Sequence, residues 1–377
     1  MNDTNTALLP CTGIVEILEN GKFGHIINPE RNGYVDPSDP YISHDLIKRF
    51  SLRRGQKVSA HILPRSNFPN PKVISIDRIE DLPVERAMTR TKFSELEPTI
   101  PSQQLHLEHA NCSLSMRILD LFCPLAKGQR GLIVAPPRAG KTLLLQDIAH
   151  SLLTNYPNIT VIVALIDERP EEVTDFKRSV NAELFASSND QPTRNHIRIA
   201  ELAAERAKHL VELGRDVVLL IDSITRLARA YNKFSSSGRT MTGGIDTYAL
   251  TRPRQLFASA RDCGDHGSLT ILSSALIETG SKMDDIIFQE FKGTGNAEIV
   301  LSRSLAEQRV WPAIDLQASG VRHEEQILDS RILPEVLFLR RAFSNMSPEE
   351  ATKNVIQRML QTHTNSEFLS LIKPLSN

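Results

Sequence analysis

Aromatic residues are scarce in this chain. One tryptophan, five tyrosines and 14 phenylalanines make up 5% of its 377 residues. Any surface built on stacked rings must therefore use very few of them. A surplus of charge of either sign is also missing: 44 Lys and Arg meet 45 Asp and Glu, for a formal charge of -1. A binder held to a polyanion by bulk charge alone would be basic, so that class is disfavoured, while a local basic groove stays open. Cysteine is sparse as well. Cys11, Cys112, Cys123 and Cys263 form no Cys-x-x-Cys pair and no zinc-type set with histidine. A reduced compartment is the natural expectation. The start, Met1-Asn2-Asp3-Thr4-Asn5-Thr6, has neither the basic region nor the apolar run of a secretory leader. Apolar runs such as Ile159–Ile166 fall far short of the roughly 20 residues that span a bilayer. A cytoplasmic protein with no membrane partner is expected.

What remains is a chain of ordinary apolar content, 40%, long enough for two or three cores. Residues 1–11 carry no pattern and are expected to be disordered. Residues 12–82 alternate brief apolar runs with turn signals. Ile14, Ile17 and Leu18 lead to Asn20-Gly21; Phe23, Ile26 and Ile27 lead to Asn28-Pro29 and Asn32-Gly33; Ile62-Leu63 and Val73-Ile74-Ser75-Ile76 follow. So many short strands in so little chain predict a small β-barrel. Residues 83–126 read as a connector with a short helix near Ser115–Phe122. From residue 127 to 333 apolar strands alternate with helices, the pattern of an α/β domain around a mainly parallel sheet. The predicted strands are Leu132–Val134, Ile159–Ile166, Val217–Ile221, Leu269–Leu272 and Ile299–Leu301, with helices over Thr142–Leu153 and near Ile199–Leu213. Residues 334–377 are expected to be helical.

The strongest motif is Ala135-Pro136-Pro137-Arg138-Ala139-Gly140-Lys141-Thr142. It is a P-loop with Ala in the first glycine position, and it sits between an apolar strand and a helix, as that motif requires. Backbone N–H groups at the start of such a helix face phosphate, and the helix dipole adds to them. Lys141 can meet the β- and γ-phosphates, and the Thr142 hydroxyl can meet Mg²⁺. Two further strands run into acids. Val217–Ile221 ends at Asp222, in the form of a strand whose Asp holds Mg²⁺. Ile162–Ile166 ends at Asp167-Glu168-Arg169. Ligands of open α/β sheets lie at the carboxyl ends of strands, so both acids point toward a nucleotide. Glu168 reads equally well as the base that activates water and as a helix N-terminal acid stabilised by the dipole.

Longer strings are similar to one family. Gly131–Pro137, Asp167–Thr174, Asp222–Tyr231, Thr242-Gly243-Gly244, Thr279–Asp284 and Phe291–Asn296 together resemble the bacterial transcription termination factor Rho family, over about Gly13 to Glu325. The resemblance implies a RecA-like ATPase core, an N-terminal OB-fold or cold-shock-like barrel, and a homohexameric ring with ATP and Mg²⁺ bound between subunits. It implies that Lys141, Thr142, Glu168 and Asp222 act on ATP, that Arg322 is an arginine finger supplied by a neighbour, and that Arg309 reaches the phosphates. Arg138, Ala139, Gly140, Leu143 and Arg169 fall in the nucleotide cradle, and Trp311 falls against adenine. Loops around Arg239, Thr240, Gly243, Gly244 and Lys282 would grip single-stranded RNA. The activity implied is an RNA-dependent ATPase of the 5'-3' helicase type that frees transcripts from the RNA polymerase elongation complex. Three of these residues also have an ordinary reading: surface arginine for Arg322, core indole for Trp311, solvated lysine for Lys282.

The sequence departs from the family in places. The barrel platform reads Phe23-Gly24-His25, with an imidazole where a second aromatic ring is usual, and Tyr41 matches a further family aromatic. A later acidic-aromatic pair is replaced by Asn67-Phe68-Pro69-Asn70-Pro71. No counterpart of the family's N-terminal helical subdomain is expected, and the tail past Glu325 matches less well. In compensation, Lys48, Arg49, Arg53, Arg54, Lys57, Arg65 and Lys72 fall in a stretch with no acid, which predicts a phosphate track. Two other functions compete: a nucleic-acid-binding regulator that has lost termination activity, and a catalytic subunit of a rotary ATP synthase. The Ser281–Asp284 loop and the basic barrel argue against the second.

Overall fold

A computed structural model describes residues 8–18, 21–64, 70–235, 239–240 and 242–372. The first six strands are β1 (Leu9–Leu18), β2 (Phe23–Ile27), β3 (Tyr41–Ser43), β4 (Lys57–Leu63), β5 (Lys72–Ile79) and β6 (Leu82–Pro83), with helix α1 (His44–Arg49) after β3. They pair in the order β3-β2-β1-β4-β5-β6, and Tyr41 pairs back to Lys72, which closes a five-stranded barrel. Alternation decides what each strand buries. Val15, Ile26, Ile42, Val58, Val73 and Ile76 fill the barrel. Their neighbours Ile14 and Ile27 face outward and join the core of the next domain. The barrel starts earlier than predicted. Leu9, Pro10 and Cys11 lie in β1, paired with Ile62, His61 and Ala60, so residues 9–11 are ordered by the β4 ladder.

The connector contains α2 (Val84–Met88) and α3 (Leu114–Phe122). The main sheet uses β7 (Arg130–Ala135), β8 (Thr160–Glu168), β9 (Glu183–Ser188), β10 (Asp216–Asp222), β11 (Arg261–Asp262), β12 (Ser268–Leu276), β13 (Ala297–Val300) and β14 (Gly320–Val321). Its order is β14-β13-β7-β12-β10-β8-β9, parallel from β13 to β9. Strand β9 escaped the sequence reading. The helices are α4 (Lys141–Asn155), α5 (Pro170–Ser179), α6 (Thr193–Val211), α7 (Ile224–Phe234), α8 (Thr251–Phe257), α9 (Lys282–Lys292), α10 (Arg303–Glu307), α11 (Glu324–Ile327), α12 (Leu333–Phe343), α13 (Pro348–Met359) and α14 (Asn365–Ile372). One face of the sheet packs α3, α4 and the tail helices through Phe122, Ile148, Val336, Met359 and Phe368. The other packs α6, α7 and α9 through Leu202, Leu227 and Phe291. Both faces are covered, as the continuous apolar strands require. Among the described residues no helix is long and apolar enough to cross a membrane.

Barrel and core are joined by buried ion pairs along α6. The predicted phosphate track is corrected here for three of its seven cations. Arg54 pairs with Glu16 at 2.6 Å and Glu201 at 2.9 Å, Arg53 pairs with Glu212, and Lys57 with Asp81 at 3.2 Å. These cations are neutralised by acids distant in sequence, so they are not available as a row facing phosphate. Arg65 and the 67–69 segment lie outside the described residues. Arg206 extends the seam, donating to both oxygens of buried Glu80 at 2.8 Å and to Glu183 at 3.0 Å. Removing one partner leaves a buried charge alone, at a cost of about 3–5 kcal/mol. Arg206→Ala is therefore expected to lower the urea midpoint of unfolding sharply. A midpoint equal to the parent's would mean that the seam contributes nothing to stability.

Candidate functional site

The P-loop leaves β7 and enters α4. Arg138 at φ +65° and Gly140 at φ +87° turn the chain sharply enough to aim the start of α4 at the space above the sheet. A side chain at Gly140 would lie 2.9 Å from the Trp311 ring, so glycine is what lets the indole close on the loop. Trp311 is not a core residue: it is 44% exposed, and Leu143 is 61% exposed. With Ala139, Leu144, Pro312 and Ala313 they line a largely apolar cavity of about 240 Å³. Two exposed apolar groups on a cleft beside a phosphate loop suit a flat base. Arg309, exposed at φ +58°, stands in the turn that leads to Trp311. That turn follows Leu301, whose N–H donates to Val134 O at 2.8 Å, so it lies at the P-loop edge of the sheet.

The strand-end acids converge on Lys141. Its ammonium contacts Asp222 closely and stands 3.9 Å from Glu168. Ser274 Oγ donates to Asp222 Oδ1 at 2.8 Å, and the buried Oδ2 has no hydrogen-bond partner. An orphaned carboxylate oxygen on the residue that meets Lys141, with the half-exposed Thr142 next in the chain, fits a hydrated divalent cation. Glu168 is buried, and Arg226 reaches it at 3.0 Å. Burial and the Asp222 charge push the Glu168 carboxyl up to about 7, against the pull of Lys141 and Arg226. A carboxyl held near neutrality can take a proton from water at working pH. Arg169 follows it, exposed at the N-cap of α5.

Arg322 lies at the other end of the sheet. Val321 in β14 pairs with Ala297, and Ala297 pairs with Gly131 near the start of β7. About 13 Å of strand separates that level from the P-loop at its far end. The exposed Arg322 is thus remote from the phosphate site of its own chain.

The two predicted loops do meet. A side chain at Gly243, φ +77°, would lie 2.7 Å from Ile286 and 3.3 Å from Lys282 O, so the first loop rests on the start of α9. Gly244 lies against Met283. Thr240 bridges to Asp246, and Arg239 O accepts from Thr247 N at 3.2 Å. Gly238 and Met241 lie outside the described residues. Lys282 is the first residue of α9 and is exposed. The helix dipole disfavours a cation there. In the barrel, Phe23 and Tyr41 stack at 5.9 Å, and His25 stands edge-on to them at 5.8 and 6.2 Å. His25 Nδ1 donates to Asp39 O at 3.3 Å, fixing the imidazole in the cluster. The altered platform is therefore a packed set of three rings.

Sequence reasoning missed what links these places. Helix α7 follows the Asp222 strand directly. Its Arg226 holds Glu168, its Arg229 donates to Asp284 at 2.7 Å, and its Asn232 donates to Gly244 O at 3.1 Å. Asp284 is fully buried and also accepts from Thr279 at 2.6 Å. The signal was present as polar residues at steps of three along an otherwise apolar helix.

Residues 11–85 match the Rho termination factor, RNA-binding domain, and residues 115–320 match the ATP synthase alpha/beta family, nucleotide-binding domain. Among solved structures, a prototypical ATPase from a type III secretion system is similar at a TM-score of 0.61 and 23% identity, covering 73% of this chain and 86% of that one. A unique ATP synthase subunit of Nanoarchaeum equitans is similar at 0.58 and 17%, covering 74% and 81%. These share the fold. The chain is 47% identical to a transcription termination factor Rho of Cereibacter sphaeroides over 94% of its own length and 85% of that protein's. It is 45% identical to the Rho of Haemophilus influenzae over 96% and 87%. That likeness extends beyond the Gly13–Glu325 span legible from motifs. With a P-loop ATPase core and an RNA-binding barrel on one chain, this protein belongs to the transcription termination factor Rho family.

Proposed function

We propose that six copies form a ring that hydrolyses ATP with Mg²⁺ between neighbours and draws single-stranded RNA through its centre, freeing transcripts from the RNA polymerase elongation complex. Helix α7 is the observation that carries this reading. One rigid element touches the acid at the nucleotide site and both loops proposed to grip RNA. An RNA phosphate drawn to Lys282 would shift the start of α9, and Arg229 would pass that shift to Arg226 and Glu168.

In the chemical step, backbone N–H groups from Arg138 to Lys141 and the dipole of α4 cradle the phosphates. Leu143 and Trp311 hold the base. Lys141 leaves the acids for the β- and γ-phosphates, and Arg169 and Arg309 add charge from the rim. Thr142 and Asp222 would hold the cation, which would supply charge neutralisation. Water attacks the γ-phosphorus, the bond to the bridging oxygen of ADP breaks, and Glu168 takes the proton. Arg322 of the neighbouring copy neutralises the charge that builds on the transferred group.

Two substitutions test the linkage. Lys282→Ala and Arg229→Ala are each expected to lower RNA-stimulated turnover about tenfold or more while nucleotide affinity stays unchanged. Duplex displacement by the parent on an RNA–DNA hybrid with a single-stranded RNA tail is the companion assay. If polypyrimidine RNA leaves the parent's turnover unchanged, an RNA-binding regulator without termination activity becomes the better reading.

A further inference from the structure

The run Phe291–Asn296 has no part in the mechanism above, yet it is closely built. Phe291 is buried against Phe257 at 5.8 Å, and its carbonyl accepts from both Thr294 N at 2.9 Å and Gly295 N at 3.0 Å. The tight loop so formed presents Asn296 between two strands. Asn296 Oδ1 accepts from Arg130 N at 2.8 Å, and Asn296 N donates to Arg130 O at 2.9 Å. Asn296 O accepts from Arg322 N at 2.8 Å. Arg130 Nε donates to Thr294 O at 3.2 Å. One residue therefore fixes the backbone of two arginines, at the same end of the sheet.

Arg130 and Arg322 line a cleft of about 330 Å³, together with Arg261 and His323. Arg261 stacks on Phe93 at 4.7 Å. None of the described residues lining the cleft is a carboxylate. Three guanidiniums without an acid repel one another, so an anion placed among them would be stabilised. Burial, Arg261 and Arg322 all act to lower the proton affinity of Arg130. The cleft is at the edge remote from the chain's own P-loop, so the anion must come from elsewhere.

We infer that the cleft receives the γ-phosphate of ATP held by the neighbouring copy, with Arg130 as a second cationic contact beside Arg322 and Asn296 as the positioning residue that sets their spacing. This rests on the reading that ATP is cleaved between copies. Two arginines at fixed separation can meet two oxygens of one phosphoryl group, which a single mobile arginine does less well.

The test is complementation between inactive variants. Arg130→Ala is expected to lower kcat about 10- to 100-fold with nucleotide affinity and melting temperature unchanged, and Arg130→Lys to recover part of the loss. Mixed with Lys141→Ala, the Arg130→Ala protein is expected to regain turnover, because some seams then join an intact P-loop to an intact cleft. Asn296→Ala is expected to lower kcat in the same direction, without raising KM, and to be rescued by the same mixing. If Arg322→Ala is rescued by Lys141→Ala but Arg130→Ala is not, Arg130 serves only its own chain and the inference fails. If neither is rescued, the reading of catalysis between copies fails first.

Discussion

Replacing Arg322 by alanine is expected to cut RNA-stimulated kcat by about a thousandfold or more, with little change in nucleotide affinity. An arginine supplied to a phosphoryl-transfer site stabilises charge that exists only in the transition state, so its loss appears in kcat. The structure makes the effect informative, because Arg322 is separated from its own P-loop by the length of β7. In random rings of Arg322→Ala and Lys141→Ala chains mixed one to one, about a quarter of the seams would be intact on both sides. Turnover should therefore rise on mixing two inactive proteins. Stopped-flow phosphate release measures it. A kcat within a factor of two of the parent's for Arg322→Ala alone would remove the residue from the chemistry.

Glu168→Gln is expected to lower kcat about 10²- to 10⁴-fold, the range for loss of a general base. The pH profile separates this from simple misfolding. The parent's kcat/KM should rise through pH about 7 and then level, because burial and Asp222 hold Glu168 protonated up to that point. The Gln variant should lack that limb. Stability should show the opposite trend. A carboxyl raised above its unfolded value binds extra protons in the fold, so the parent loses stability as pH rises from about 4.5 to about 7. Glu168→Gln should melt higher than the parent at pH 8 and show no such advantage at pH 4.5. Parallel melting curves for the two proteins across that range would contradict the assignment.

Local runs were readable, and long-range partners were not. Val217–Ile221 ending in Asp222, and Pro136–Thr142 between strand and helix, announce themselves because strand, loop and helix follow one another in the chain. Strand β9, Glu183–Ser188, did not, since it ends in Ala-Ser-Ser and lacks β-branched residues. Arg53 and Arg54 looked like phosphate contacts because their acids, Glu212 and Glu201, stand 159 and 147 positions away. The grip of Asn296 on Arg130 spans 166 positions, and nothing in either neighbourhood hints at it. Motif strings located the loops at Gly243 and Lys282, but only the fold brought them into contact. Trp311 shows the converse: composition favours a core indole, and its exposure beside Gly140 supports the nucleotide reading.

The rate of hydrolysis proposed here depends on one chain completing the site of another. Sedimentation velocity of the full chain with Mg²⁺, a non-hydrolysable ATP analogue and an oligopyrimidine RNA examines this directly. The expected boundary corresponds to six times the 42.1 kDa chain. A boundary that stays at a single 42.1 kDa chain with both ligands bound would contradict it.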